Sequence, residues 1–335
     1  RLDGVTGVQT CALPISDDVK AAIPPEAQLV YWDYYHEDAA FYADWIGRHR
    51  ALGSEPAMAG GVWTWSRFWY DHPTTQRTTE PCLQACRRAG LKEFFFTLWG
   101  DDGAYCEFDS ALAGLCYGAE LAYAGENRDD GQLQRRYAAV CNGDYQAVLE
   151  LSELNSLADP QWVWDDPLQR VHWKARRSSD ANFWPATADG LRKLLAKLQP
   201  NARKTRPADF AHAAAVARFA LAKIELNLEL DAALASGTVE PLQVIVGRVP
   251  GLLKLLERLQ ESFRRQWYRR NKPEGFEVLQ IRLGALRQRL IELRQRLKDR
   301  DGVRIGGIGE LQEEAGDFAG RFWVQVASAS LSSGK

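Results

Sequence analysis

The stretch Lys92 to Glu107 brings an apolar run, Phe94-Phe95-Phe96-Thr97-Leu98-Trp99, directly against Gly100 and two carboxylates, Asp101 and Asp102. An apolar run of about four to eight residues closed by glycine predicts a strand covered on both faces, as in a parallel sheet wrapped by helices. Folds of that kind place their ligands at the carboxyl ends of the strands. Side chains two apart share a strand face, so Trp99 and Asp101 point the same way if the strand runs that far. An indole beside a carboxylate suits a sugar, whose C–H face lies on the aromatic while its hydroxyls donate to the acid. A core tryptophan followed by a solvated turn is the plainer alternative.

The elements that would position such a site alternate along the chain. Ala27 to Tyr35 reads as a strand entered from the Pro24-Pro25 break. Glu37 to Leu52 follows as a helix, with Phe41, Tyr42, Trp45, Ile46 and His49 at helical spacings and Gly53 past its end. Ala57 to Trp65 is a second strand whose small residues let a backbone or a ligand approach closely. Thr78 to Ala89 is a second helix stopped by Gly90, and Lys92 to Trp99 is the third strand. Consecutive βα units of roughly thirty residues build a parallel sheet. All three strands end alike: Tyr31, Trp32, Asp33 and Tyr34 close the first, Trp63 and Trp65 the second, Trp99 and Asp101 the third. Three aromatic and acidic ends together argue for a sugar site on the active face of a barrel.

The chain has 335 residues, beyond the size at which single cores stop growing, so two domains are expected. A net charge of −2 gives no excess that would favour nucleic acid or an anionic membrane surface. Twelve tryptophans against one methionine fit carbohydrate binding as well as core packing. The six cysteines show no pair-of-pairs zinc spacing and the five histidines supply no missing ligands, so free thiols in a reducing compartment are expected, with no metal. Residues 1–16 have neither the charge pattern of a signal peptide nor a helical period and read as a foreign leader. No stretch reaches the roughly 18 consecutive apolar residues of a membrane span.

After Phe108 the pattern becomes helical over 108–124, 131–141, 144–156, 188–199, 208–236, 241–270, 273–299 and 310–319, with joints marked by Pro160, Pro167, Pro185, Pro200, Pro207, Gly237, Pro250, Pro273 and Gly302. This is a domain of antiparallel helices. The run from Phe276 to Leu297 sets Leu and Ile on one face and Arg and Gln on the other, a solvated amphipathic helix. Trp162, Trp164, Trp173 and Trp184 crowd a stretch read as loop, covering the join between the halves. The end of the chain, Ser-Ala-Ser-Leu-Ser-Ser-Gly-Lys, reads as a frayed tail.

In this order and spacing the strand ends resemble the family 20 glycoside hydrolases, the exo-β-N-acetylhexosaminidases, and within them the bacterial branch with a helical domain after the barrel. That family ends one strand Tyr-x-Asp and the last barrel strand Trp-Gly followed by an acid. Tyr31-Trp32-Asp33 and Trp99-Gly100-Asp101 match, with Asp where many members have Glu. Gly60-Gly61-Val62-Trp63-Thr64-Trp65 and Asn271 to Val278 also look like that branch. The resemblance covers roughly residues 25–300. It implies an α/β plus all-α chain, the C-terminal part of a (β/α)8 TIM barrel followed by an α-helical domain. The expected divisions are a leader over 1–16, the last βα units of a catalytic barrel over 17–107, helices over 108–320 and a tail over 321–335.

The resemblance further implies that Tyr31 donates its phenol to the acetamido carbonyl of the substrate. Asp33 and Asp101 would accept from sugar hydroxyls, Trp99 would lie under the pyranose ring, and Trp63 and Trp65 would wall the acetamido pocket. The family mechanism is substrate-assisted: the acetamido oxygen attacks C1 in place of an enzyme nucleophile, while a neighbouring Glu protonates the leaving oxygen and an Asp orients the amide. The family's His-x-Gly-Gly-Asp-Glu motif, which supplies those two acids, is absent, and no Asp-Glu dipeptide occurs in the chain. A truncated gene product with little activity is therefore expected, since a general acid is worth about 10²–10⁴ in rate. The implied substrate is a terminal β-linked GlcNAc or GalNAc glycoside, with no cofactor, no nucleic acid and no membrane partner. A homodimer through the helical domain is suggested by Arg264-Arg265-Gln266-Trp267-Tyr268-Arg269-Arg270, and a cytoplasmic location by the unpaired cysteine pattern. The competing readings are a non-catalytic carbohydrate-binding or helical scaffold protein, and a hydrolase built on Asp101, Asp102 and Glu107. The last is disfavoured because acids on one short loop seldom reach the separation that a two-carboxylate mechanism needs.

Overall fold

A computed structural model describes residues 20–21, 23–24, 26–101, 103–201, 208–299, 308 and 311. The leader over 1–16, Asp102, the 310–319 segment apart from position 311, and the tail over 321–335 lie outside the described residues. The chain divides into two compact units. One comprises the chain up to Thr64 with Tyr70–Trp99 and Ser110–Leu149; the other comprises Trp65–Trp69, Gly100–Asp109 and the chain from Glu150 onward.

In the first unit β1 (Val30–Trp32), β2 (Ala57–Gly61) and β3 (Phe94–Thr97) form a parallel sheet in the order β1-β2-β3. The intervening helices are α1 (Ala39–Ala51) and α2 (His72–Ala89). Register aligns Tyr31 with Met58 and Met58 with Phe94. This row packs with Tyr42 and Ile46 of α1 and Cys82, Ala85 and Cys86 of α2. β2 is buried at all five positions, but β3 is not covered on both faces as its apolar run predicts, because it is an edge strand and Phe95 stands 47% exposed. Helix α2 begins six residues earlier than the apolar period indicates. Asp71 caps it by accepting from the Thr74 N–H at 3.1 Å and Pro73 occupies its first turn, while the buried threonines Thr75, Thr78 and Thr79 hide the periodicity.

The same unit holds α3 (Ala111–Ala124), α4 (Asp130–Cys141) and most of α5 (Tyr145–Glu150). Gly114 lets α3 approach closely: a Cβ there would lie 2.6 Å from both Val62 and Tyr70, which are fully buried.

The second unit is helical, with α6 (Leu154–Leu157), α7 (Pro160–Val163), α8 (Val171–Ser179), α9 (Phe183–Asn201), α10 (Phe210–Ser236), α11 (Glu240–Arg270) and α12 (Phe276–Lys298). Gly237, at φ 69°, turns the chain between α10 and α11. Several prolines read as joints lie inside helices, Pro185 and Pro250 among them. Pro185 sits in the first turn of α9, where no intrahelical N–H is needed. Pro250 lies within α11. A proline there cannot donate to the carbonyl four residues earlier, and that carbonyl, of Val246, accepts instead from Arg294 Nε at 3.2 Å. The tryptophans read as a loop cover are core: Trp162 lies on α7, Trp173 on α8 and Trp184 on α9, with Trp173 stacked on Trp184 at 4.4 Å and Trp162 edge-on to it at 5.3 Å. Lys223 of α10 is buried and satisfies carbonyls at the end of α7, donating to Trp162 O at 3.0 Å and Val163 O at 2.9 Å, and to Asp165 O at 2.5 Å.

Candidate functional site

The carboxyl ends of β1, β2 and β3 bring five aromatic side chains together in the first unit. Trp32 and Trp99 stack at 5.1 Å with planes 20° apart. They come from strands separated by β2, a span of roughly 9–10 Å. The contact is possible because β2 offers only Ala59, Gly60 and Gly61 between them. Tyr35 meets Trp63 edge-on at 5.4 Å, and Tyr34 meets the same indole edge-on at 6.1 Å. Backbone bonds fix the indoles: Thr64 Oγ1 donates to Trp99 O at 2.9 Å, and Trp63 N donates to Thr75 Oγ1 at 3.0 Å. The shielded Nε1 atoms of Trp32 and Trp99 find no acceptor among the described residues. Such donors cost roughly 1–3 kcal/mol each while unpaired.

Asp33 is the knot of the loop after β1. Only 3% exposed, it accepts from Tyr31 OH at 3.1 Å, Tyr35 N at 2.8 Å and His36 Nδ1 at 2.7 Å. A carboxylate only accepts, so the His36 proton sits on Nδ1. The imidazole lies flat on Phe41 at 3.6 Å.

These bonds give Tyr31 and Asp33 a different geometry from the one the resemblance implies. Tyr31 is 1% exposed on the helix-facing side of the sheet, between Tyr42, Trp45 and His49, with its hydroxyl on Asp33. Burial, followed by the Asp33 charge, pushes its phenol far above the usual range. The phenol that reaches the surface of this strand end is Tyr35, 52% exposed. Sequence pattern alone does not separate the two, because Tyr31 and Trp32 face opposite ways and only the pairing register shows that Trp32 shares the Trp99 side.

Trp63 and Trp99 are half-buried. In the second unit Trp65 is buried and Asp101 is exposed. Glu107, the third member of the loop-acid reading, is fully buried and ion-paired with Arg270 and with Arg269 at 3.3 Å, while Asp109 binds Arg269 at 2.9 Å. Burial pushes the Glu107 carboxyl up against the opposing pull of Arg270. Its role is therefore to anchor α11, and the same bonds occupy two cations of the basic stretch Arg264–Arg270. Among the described residues, no three His, Cys, Asp or Glu side chains are grouped to hold a metal ion, and no helix is long and apolar enough to cross a membrane.

Residues 163–328 match the family model of the Glycoside Hydrolase 20C C-terminal domain. Comparison with curated protein sequences returned no match.

Proposed function

Residues 163–328 are a glycoside hydrolase 20C C-terminal domain, which makes the chain a member of glycoside hydrolase family 20, and from that premise we propose that it is part of an exo-β-N-acetylhexosaminidase. The enzyme removes terminal β-linked GlcNAc or GalNAc by a retaining mechanism in which the substrate's acetamido oxygen attacks C1. The three parallel βα units are read as part of a (β/α)8 TIM barrel, the fold whose ligands gather at strand carboxyl ends. The observation that carries the proposal is the aromatic group at those ends, the stacked Trp32–Trp99 pair and the Tyr35–Trp63 contact.

Trp99 supplies the platform for the pyranose ring and Trp63 a wall for the acetamido group. Tyr35 takes the phenol role that the resemblance gave Tyr31, because it is the exposed phenol and its N–H is held by Asp33. Asp33 acts by fixing that loop, all three of its donors being internal. No cofactor is required. Cytoplasmic residence is supported by Cys82, Cys86, Cys106, Cys116 and Cys141 being free thiols. A homodimer would use the exposed Tyr268 beside Arg264, whose guanidinium lies 5.3 Å from its ring.

One observation favours the second reading, a non-catalytic carbohydrate-binding protein: the chain contains no Asp-Glu dipeptide to serve as acid and orienting partner. Incubation of the purified chain with an aryl N-acetyl-β-glucosaminide, followed for both binding and release of the aryl group, tests the proposal. Binding without cleavage is expected. Absence of binding to both GlcNAc and GalNAc glycosides would remove the amino-sugar reading altogether.

A further inference from the structure

We infer that Cys116 and Cys141 form a thiol–disulfide modification site, a pair that a low-molecular-weight disulfide such as oxidised glutathione converts to an intramolecular bond across the α3–α4 hairpin. Helices α3 and α4 run antiparallel through the short turn Gly125–Asn127 and the Asp129 cap. Residues at one level of such a hairpin have a nearly constant sum of residue numbers. Glu120 on α3 ion-pairs with Arg136 on α4. Cys116 and Cys141 lie about one helical turn further from the hairpin loop on each side, and the Cys116 thiol is hydrogen-bonded to Cys141. The two sulfurs are therefore brought together by the same register that forms the ion pair.

Accessibility singles out this pair. Both cysteines are partly exposed, whereas Cys82, Cys86 and Cys106 are buried. Cys82 and Cys86 also hydrogen-bond to each other, but within one helix and inside the core against the sheet.

The chemistry needs only the named oxidant. One cysteine, as thiolate, attacks a sulfur of oxidised glutathione, forming a mixed disulfide and expelling one glutathione thiolate. The second cysteine thiolate then attacks the protein-bound sulfur, closing the Cys116–Cys141 bond and expelling a second glutathione thiolate; the two protein protons pass to solvent or to the leaving thiolates. Burial and the neighbouring Cys141 push the Cys116 thiol up to about 11. Attack through Cys116 is accordingly slow at neutral pH and gains roughly tenfold in thiolate per pH unit below that value.

The test uses the chain carrying Cys11→Ser, treated with excess oxidised glutathione at mildly alkaline pH, then alkylated without denaturation and mapped by peptide mass spectrometry. The expected result is a cross-linked pair of peptides containing Cys116 and Cys141, two hydrogens lighter than the reduced pair and restored by dithiothreitol. Cys82, Cys86 and Cys106 are expected to react with alkylating agent only after unfolding. In the Cys116→Ser chain, Cys141 should instead retain a single glutathione. Separate glutathione adducts on Cys116 and Cys141 without a cross-link, or no reaction at either, would overturn the assignment.

Discussion

The indole of Trp32 stacks on that of Trp99 at 5.1 Å, joining the two edge strands of the sheet above a middle strand whose Ala59, Gly60 and Gly61 leave room for it. The stack closes one face of Trp99, and both Nε1 atoms are left without an acceptor among the described residues. A ligand at these strand ends would thus meet a pre-formed aromatic surface.

The two tyrosines of the β1 end should behave differently when each loses its hydroxyl. Tyr31→Phe removes a buried donor to Asp33 and should cost about 1–2 kcal/mol of stability while leaving amino-sugar affinity unchanged. Tyr35→Phe should leave the melting temperature near wild type and weaken binding of an N-acetyl sugar by roughly fivefold or more. Thermal denaturation and fluorescence titration of both variants check the pair. The reverse assignment of effects would restore Tyr31 to the substrate.

Glu107→Gln should destabilise the helical unit by roughly 3 kcal/mol, because the change leaves Arg270 without its fully buried counter-charge. Urea unfolding followed by circular dichroism would measure it. A cost below about 1 kcal/mol would mean that Asp109, which also bonds Arg270 at 3.0 Å, suffices alone.

His212 sets a pH dependence. It is fully buried with Nδ1 2.9 Å from Ser262 Oγ, and burial depresses its pKa from 6.5 to about 4. The stability tied to its neutral form is present above about 6.5. It is lost as the pH falls toward 4, because the unfolded chain takes up a proton across that window and the folded chain does not. The loss should reach on the order of 3 kcal/mol. In His212→Leu the stability profile should be flatter between these limits by that amount, whatever its level at neutral pH. An unchanged slope would show that His212 titrates normally when folded.

Gly114→Ala provides a test of packing by sign. In an open helix position alanine is favoured by roughly 0.5–1 kcal/mol. Here the new Cβ would meet Val62 and Tyr70 at 2.6 Å, so a net loss of about 1–3 kcal/mol is expected in thermal denaturation.

Much of the architecture can be read from the sequence because its signals are local. Gly53, Gly90 and Gly237 mark chain reversals, and the long helices α10, α11 and α12 follow their apolar period to within a few residues. The misreadings arise where a distant group compensates a local rule. Pro250 reads as a break because nothing near it in sequence announces that Arg294 will serve Val246 O. The tryptophans at 162, 173 and 184 read as loop because the helices of Trp162 and Trp173 are short, Pro185 beside Trp184 reads as a joint, and the stack that buries them joins three elements. Glu107 reads as one of a cluster of loop acids because its partners, Arg269 and Arg270, lie more than a hundred residues away. At the site itself, aromatic strand ends are visible as composition, but which of Tyr31, Trp32 and Tyr35 meets a ligand depends on register with β2 and on the bonds of Asp33.

The central claim, that these strand ends bind an amino sugar through its acetamido group, is tested most directly by tryptophan-fluorescence titration of the chain with methyl N-acetyl-β-glucosaminide and with methyl β-glucoside. The account predicts saturable binding of the acetamido sugar, at least about tenfold weaker binding of the glucoside, and loss of both responses in Trp99→Ala. Equal affinity for the two sugars, or a response that survives Trp99→Ala, would contradict it.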